Sequence, residues 1–201
     1  AMSIVSCTHT THYVEEVYCL IPNLIPQNFI EAARLHALEI GQQLAPWPSG
    51  HFQVLDPERY RSENDTPLPA GIQRPASQET VFADVADHPN LTETMAALLG
   101  DPVKRFTDQI GIKHGTLNEA QGGCSYYHQD SYYWKIAPEL GCNCWIPLTS
   151  VGINASAVAI MPKTHQNSQL VEHESYYDDL PWGHIGSDVF TPFKRHRAYH
   201  K

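Results

Sequence analysis

Basic residues are scarce in this sequence: 13 Lys and Arg stand against 22 Asp and Glu, which gives a formal net charge of −9. Binding to a phosphate backbone needs a basic surface, so the sequence predicts no nucleic-acid partner and disfavours a coenzyme A thioester as substrate. A long apolar run is also lacking, which argues against a signal peptide or a membrane span. We therefore expect a soluble, cytoplasmic protein with no nucleic-acid partner and no membrane partner, and the composition indicates no oligomeric state.

Cysteine is present in a small, odd number of residues with irregular spacing, at Cys7, Cys19, Cys124, Cys142 and Cys144. Such spacing predicts no disulfide framework. Cys142 and Cys144 have side chains of a type that holds zinc, but no second Cys or His pair stands at zinc-finger spacing. The favoured interpretation is a strand that carries buried free thiols.

The length of 201 residues fits one domain, 1–201, which is long enough to bury a hydrophobic core. Ala1 in front of Met2 has the pattern of a cloning scar, residues 1–2. Proline, glycine, serine and charged residues are concentrated between residues 45 and 80, where they oppose long regular structure. We interpret 45–80 as a long loop or lid.

Two stretches have apolar residues at helical spacing, over residues 26–44 and 90–99, and Gly100 suits the end of the second. Four stretches have the pattern of short strands, over residues 13–20, 103–113, 142–148 and 155–161. In the second of these strands, Phe106, Ile110 and Ile112 share the apolar face. The combination predicts a mainly β fold with flanking helices (α+β), built on a jelly-roll, or double-stranded β-helix, core.

His128 and Asp130 stand two residues apart in a run that follows a Gly-Gly turn and continues into aromatic residues. On an extended backbone, such side chains point to the same side, so one ion can take an imidazole nitrogen and a carboxylate oxygen from this segment. Two His and one carboxylate are the usual protein ligands of non-haem Fe(II). With 12 His in the chain, such a tripeptide arises about once by chance. The surrounding sequence is therefore needed to judge whether it is a metal site.

These surroundings resemble the motifs of the phytanoyl-CoA dioxygenase family of Fe(II)- and 2-oxoglutarate-dependent oxygenases. The matching pieces are Gln109 with Lys113, His128-Gln129-Asp130, Tyr133-Trp134, Trp145-Ile146-Pro147-Leu148 and Met161-Pro162-Lys163-Thr164-His165. Several motifs in the right order are more specific than one. The resemblance implies a jelly-roll oxygenase that uses Fe(II) with 2-oxoglutarate and O2 as co-substrates.

The resemblance also implies that His128 and Asp130 are catalytic metal ligands. For the third ligand His184 is the closest candidate, and Arg195 follows it after eleven residues, which is the spacing in the family. His173 resembles the segment after strand closure more than a ligand. The alternative is an incomplete C-terminal part that lacks the third ligand, since few residues follow the last matching motif.

The far carboxylate of 2-oxoglutarate needs a cation, and Lys113 and Arg195 are the candidates by resemblance. Gln109 and Trp145 are assigned to the same pocket on the same basis. Aromatic side chains provide contact area with few rotatable bonds. We expect four of them to line the substrate, namely Tyr126, Tyr132, Tyr133 and Trp134. Ordinary core packing is the alternative for these residues and for Trp145.

The implied reaction is the hydroxylation, or a related oxidation, of an aliphatic C–H bond in a small organic molecule, with release of succinate and CO2. The resemblance favours a secondary metabolite or a lipid-like compound. Asp130 favours a hydroxylase over a halogenase, because related halogenases have a small residue there that admits chloride. Two alternatives stay open: a cupin-type metal dioxygenase that does not use 2-oxoglutarate, and a non-catalytic jelly-roll binding protein with a degenerate metal site.

Overall fold

A computed structural model describes residues 5–42, 52–54, 69–100, 102–113, 127–134, 141–152, 157–166, 170–175 and 183–184. The described helices are α1 (Cys7–Glu16), α2 (Gln27–Gly41), α3 (Thr80–Ala86), α4 (Pro89–Leu99) and the short α5 (Asp130–Tyr133). The described strands are β1 (Phe52–Val54), β2 (Pro69–Gln73), β3 (Gln109–Gly111), β4 (Glu174–Ser175) and β5 (Gly183–His184). A 3-10 turn, Pro75–Ser77, follows β2.

The strands form two small antiparallel sheets. The first has the order β1-β2-β3, and Ile72 in its middle strand lies opposite Phe52 on one side and Ile110 on the other. The second is the β4–β5 hairpin, in which Glu174 lies opposite His184. Within the described part of the chain, the strands are fewer and shorter than those of a complete jelly roll.

The predicted helices α2 and α4 are confirmed, and their patterns explain them. In α2 the buried residues Ala33, Ala37 and Ile40 recur at a spacing of three to four. α4 begins with Pro89 in its first turn and ends at Gly100, whose positive φ of 82° closes a helix without the cost of a side chain.

A hydrophobic core lies between these helices, α3 and the three-stranded sheet. Ile72 at the centre of the sheet is completely buried, and Phe82 and Val85 of α3 are buried in the same cluster. Leu91 of α4 joins it, and Ile146 packs against it from the segment that follows Cys142. The core thereby fixes the positions of the 109–113 and 142–148 segments, which flank the candidate site in the sequence.

The strand predicted over residues 13–20 is wrong, because residues 7–16 form helix α1. Ser6 caps this helix: its hydroxyl accepts from the His9 N–H, and the His9 ring pairs with the Ser6 N–H, each at 3.3 Å. Val17 then ends the helix in a left-handed conformation (φ 75°). A cap of this kind provides local stabilisation that apolar periodicity does not reveal.

The predicted loop or lid over residues 45–80 contains regular structure. β1 and β2 lie within it, and the 3-10 turn begins at Pro75. Pro69 is compatible with a strand because it occupies the first position of β2. The role of the remaining part as a lid stays a prediction, as does the single-domain boundary 1–201 with its scar at residues 1–2.

The other predicted strands are shorter or not paired. The 103–113 strand is limited to Gln109–Gly111, and residues 142–148 and the described part of 155–161 form no strand. Phe106, assigned in sequence to the apolar face, is 67% exposed and contacts Trp134 edge-on at 6.1 Å between ring centroids. Alternation in these segments therefore does not correspond to sheet pairing, since pairing depends on partners distant in sequence.

Arg105 connects the segment before β3 to the helical layer. Its Nε and Nη2 donate to the two carboxylate oxygens of Asp87 at 2.9 and 3.0 Å, and its Nη1 donates to Asp108. Asp108 also accepts the backbone N–H of Ala76 at 2.8 Å. This fork-like pairing is the geometry in which an arginine binds carboxylates most strongly.

The cysteines Cys7, Cys19, Cys142 and Cys144 are free thiols, as predicted for these four, while Cys124 lies outside the described residues. The predicted strand around Cys142 and Cys144 is absent, and Cys144 is exposed. Burial raises the pKa of the Cys142 thiol. Among the described residues, no helix has the length and apolar character needed to cross a membrane.

Candidate metal centre

The segment with His128 and Asp130 passes from an extended backbone into a short helix. Gln129 has extended angles (φ −107°, ψ 127°), and α5 begins at Asp130. When the middle residue of three is extended, the side chains of its two neighbours point to the same side of the backbone. Accordingly, His128 Nε2 lies 3.4 Å from Asp130 Oδ1.

The two carboxylate oxygens of Asp130 have different partners. Oδ1 faces His128, whereas Oδ2 accepts a hydrogen bond of 2.8 Å from Asn143 Nδ2. Hydrogen bonding from His128, and then from Asn143, lowers the pKa of Asp130 below its ordinary value of 3.8, against the opposing effect of partial burial. Asp130 is therefore an ionised and oriented carboxylate near neutral pH.

The pair has the donor chemistry of a divalent metal site, which requires a neutral imidazole nitrogen and an ionised carboxylate. The 3.4 Å between Nε2 and Oδ1 is less than twice a metal–ligand bond of about 2.0–2.2 Å, so both atoms can bind one ion. His128 and Asp130 are 36% and 38% exposed, which gives an ion access to both. Asn143 orients the carboxylate through Oδ2, so that Oδ1 is the oxygen next to His128 Nε2.

Among the described side chains, no third ligand lies next to His128 and Asp130. In the part of the chain that the structure describes, no group of three or more His, Cys, Asp and Glu side chains could hold a metal ion. His184 is described as backbone, in β5 opposite Glu174 of β4. β4 directly follows His173, whose Nε2 accepts the Gln129 N–H at 2.9 Å. The hairpin therefore adjoins the segment that carries His128 and Asp130.

The aromatic residues after Asp130 pack around this segment. Tyr133 meets the His128 ring edge-on at 5.6 Å between centroids. Tyr132 stacks on His173 with centroids 4.2 Å apart and planes 11° apart, and it also meets Tyr133 edge-on. These contacts orient the rings near His128 and Asp130, which we call the metal pair because of their proposed role, and contact of Tyr132, Tyr133 and Trp134 with a substrate stays a prediction. Tyr126 lies outside the described residues.

The predicted 2-oxoglutarate residues lie on the neighbouring segments. Gln109 in β3 accepts a hydrogen bond of 3.2 Å from Gln73 Nε2, across the strand pair. Lys113 is exposed and follows the end of β3 by two residues. Trp145 is 49% exposed, on the same segment as the Asp130 partner Asn143. Their assignment to the co-substrate stays a prediction, and Arg195 lies outside the described residues.

The Met161-to-His165 motif and Gln166 after it have a structural role at the end of α1. The last four carbonyls of a helix lack partners within the helix. Three of them receive donors here: Lys163 N–H to Glu16 O, His165 Nε2 to Val14 O and Gln166 Nε2 to Glu15 O, at 3.3, 2.7 and 3.4 Å. An ion pair of 3.2 Å between Lys163 Nζ and Glu16 adds to them. This motif therefore anchors the chain between the metal pair and the β4–β5 hairpin.

Sequence reasoning assigned no site role to Asn143 or His173. Asn143 and Trp145 stand two positions apart and therefore share one face of the strand predicted over residues 142–148. This shared face is a signal that could have indicated a site role for Asn143. His173 contacts Gln129 across 44 positions of sequence, which no local pattern indicates.

A His and an ionised carboxylate that lie side by side are two of the three protein ligands typical of a mononuclear non-haem iron centre. The family model for phytanoyl-CoA dioxygenase (PhyH) matches residues 15–187. The chain belongs to the phytanoyl-CoA dioxygenase family, as its motifs indicated. Membership indicates an oxygenase-type oxidoreductase that depends on iron and 2-oxoglutarate, with the jelly-roll fold general to the family. Searches among curated proteins and solved structures give no match.

Proposed function

We propose that this protein is an Fe(II)- and 2-oxoglutarate-dependent dioxygenase that hydroxylates, or otherwise oxidises, an aliphatic C–H bond of a small organic molecule. A secondary metabolite or lipid-like compound is the proposed substrate class. The observation that carries the proposal is the 3.4 Å approach of His128 Nε2 and Asp130 Oδ1, in a chain that matches the family over residues 15–187. We also propose that the chain is built on the jelly-roll core that is general to its family.

His128 and Asp130 would hold Fe(II), with His184 as the third ligand. The support for His184 is its position in β5, because neighbouring strands lie only about 5 Å apart and its partner strand β4 directly follows His173. Two His and one carboxylate leave the remaining coordination positions to co-substrates. When bound, the metal with 2-oxoglutarate and O2 supplies the oxidation of the C–H bond and releases succinate and CO2.

The residues around the metal bind and orient. Asn143 holds Oδ2 of Asp130, so the carboxylate presents Oδ1 to the metal side. Lys113 and Arg195 would bind the far carboxylate of 2-oxoglutarate, with Gln109 and Trp145 in the same pocket. The aromatic residues after Asp130 provide a rigid apolar wall against which an organic substrate can be positioned.

The test begins with protein reconstituted with Fe(II) under nitrogen, followed by measurement of bound iron and of succinate formed from 2-oxoglutarate after O2 is admitted. We expect one iron per chain and oxygen-dependent succinate. His128→Ala and Asp130→Ala should each abolish both while the protein stays folded. The matched control is His36→Ala, because His36 lies 3.3 Å from Glu39 in another His–carboxylate pair, away from the site.

The outcomes separate the competing functions. Iron binding with oxygen consumption but without succinate would favour the cupin-type dioxygenase. A folded protein that binds no stoichiometric iron would favour the binding protein with a degenerate site. Full turnover in either His128→Ala or Asp130→Ala would refute the assignment of the ligands.

A further inference from the structure

His173 is a buried histidine whose two ring nitrogens are both used. Its Nε2 lies 2.9 Å from the Gln129 backbone nitrogen, and its Nδ1 lies 2.7 Å from the Val171 carbonyl. A backbone N–H can only donate and a carbonyl can only accept. The ring must therefore be the neutral tautomer with its hydrogen on Nδ1, accepting from Gln129 and donating to Val171.

Gln129 makes a second contact with the segment that contains Val171 and His173, through its side chain. Its side-chain Oε1 accepts the Val171 N–H at 2.7 Å. The ring of Tyr132 stacks on a face of the His173 ring, with the centroids 4.2 Å apart. We call these four residues, Gln129, Tyr132, Val171 and His173, the Gln129–His173 cluster. Two hydrogen bonds and a ring stack thus join the segment before β4 to the segment of the metal pair.

The position of Gln129 connects this cluster to the two proposed metal ligands. Gln129 stands between His128 and Asp130, so its backbone is part of the two peptide units that join them. The Gln129 N–H belongs to the peptide group between His128 and Gln129, and its hydrogen bond to His173 limits the rotation of this group. The same cluster places β4, and β4 pairs with the strand that contains His184.

We propose that the Gln129–His173 cluster positions the metal ligands: His173 and Gln129 hold the His128-x-Asp130 segment in its extended form and align it with the β4–β5 hairpin. This inference rests on the proposed function. His173 is here a positioning residue and no ligand, because its Nε2 lone pair accepts the Gln129 N–H. Groups that orient metal ligands typically contribute ten- to a hundredfold to metal affinity.

The test is the dissociation constant of Co(II), titrated into the metal-free full chain and followed by the Co(II) absorption. His173→Phe retains a ring for Tyr132 but removes the acceptor for the Gln129 N–H. We expect it to weaken Co(II) binding about ten- to a hundredfold. His173→Gln, which offers a side-chain oxygen as acceptor, should recover part of this loss. Gln129→Ala removes the bond to Val171 and tests the cluster separately should His173→Phe not fold.

The matched control is Thr94→Val, since Thr94 is the other buried polar residue in the described part of the chain and belongs to α4. Its substitution is expected to leave the Co(II) dissociation constant unchanged whatever it does to the melting temperature. Folded His173→Phe and Gln129→Ala variants that bind Co(II) as tightly as the wild type would overturn the cluster's role and leave the proposed function intact. A wild-type protein that binds no Co(II) or Fe(II) would overturn both.

Discussion

Replacing Asn143 with alanine is the substitution that most directly tests the geometry of the metal pair. The change removes the hydrogen bond of 2.8 Å from Nδ2 to Asp130 Oδ2. At pH 7 the carboxylate remains ionised without this bond, since the pKa of Asp130 rises only towards its ordinary value of 3.8. The expected loss of metal affinity therefore comes from a carboxylate that rotates, and not from one that is protonated.

The magnitude follows from the exposure of the partners. A hydrogen bond to a charged group typically contributes about 1.5–3 kcal/mol. Asp130 is 38% exposed and Asn143 is exposed, so water replaces part of this interaction and about 1 kcal/mol is the appropriate estimate. That corresponds to about fivefold weaker metal binding, just below the usual range for groups that orient metal ligands.

The assay is calorimetric titration of Co(II) into metal-free Asn143→Ala at pH 7, next to the wild type. Asn90→Ala is the matched control, because Asn90 Nδ2 donates to the Leu24 carbonyl at the same 2.8 Å but at the start of α4. It should lower thermal stability and leave the Co(II) affinity unchanged. Equal Co(II) affinities for Asn143→Ala and wild type would refute the reasoning, and so would an equal loss in Asn90→Ala.

Three further predictions concern the co-substrate, acid stability and the fold. Lys113→Ala should raise the KM for 2-oxoglutarate roughly ten- to a hundredfold and leave that for the organic substrate nearly unchanged; equal changes in both would contradict the assignment. Because the folded pKa of Asp130 is lowered, its contribution to the stability of the metal-free protein is full above about pH 4 and is lost as the pH falls through the folded value. Asp130→Asn should accordingly show a shallower loss of melting temperature below pH 4, and an unchanged slope would argue against the hydrogen bonds seen here. Arg105→Ala should destabilise the protein by about 1–2 kcal/mol in urea unfolding, because it removes the paired bonds to Asp87 and the bond to Asp108, whereas an effect near zero would show that solvent already screens these bonds.

Helices α2 and α4 and the approach of His128 to Asp130 were accessible from the sequence because their determinants are local. The buried Ala33, Ala37 and Ile40 follow one face of a helix, and Gly100 marks where α4 ends. His128 and Asp130 are two positions apart, so a single extended residue between them is enough to bring their side chains to one side. The family motifs likewise depend on residue types in order, which a sequence shows directly.

Tertiary structure alone decided the contacts between segments. Asn143 binds Asp130 from 13 positions away in the sequence, and His173 binds Gln129 from 44 positions away. Neither sequence separation corresponds to the period of a helix or a strand. The same limit explains the strand predictions that were wrong: alternation describes which side chains could share a face, whereas a strand forms only where a distant partner offers backbone hydrogen bonds. β4 and β5 pair antiparallel in a register that places His184 opposite Glu174, and no local pattern indicates this pairing. Local pattern thus determined that His128 and Asp130 lie side by side, and long-range packing determined that Asn143 and His173 contact their segment.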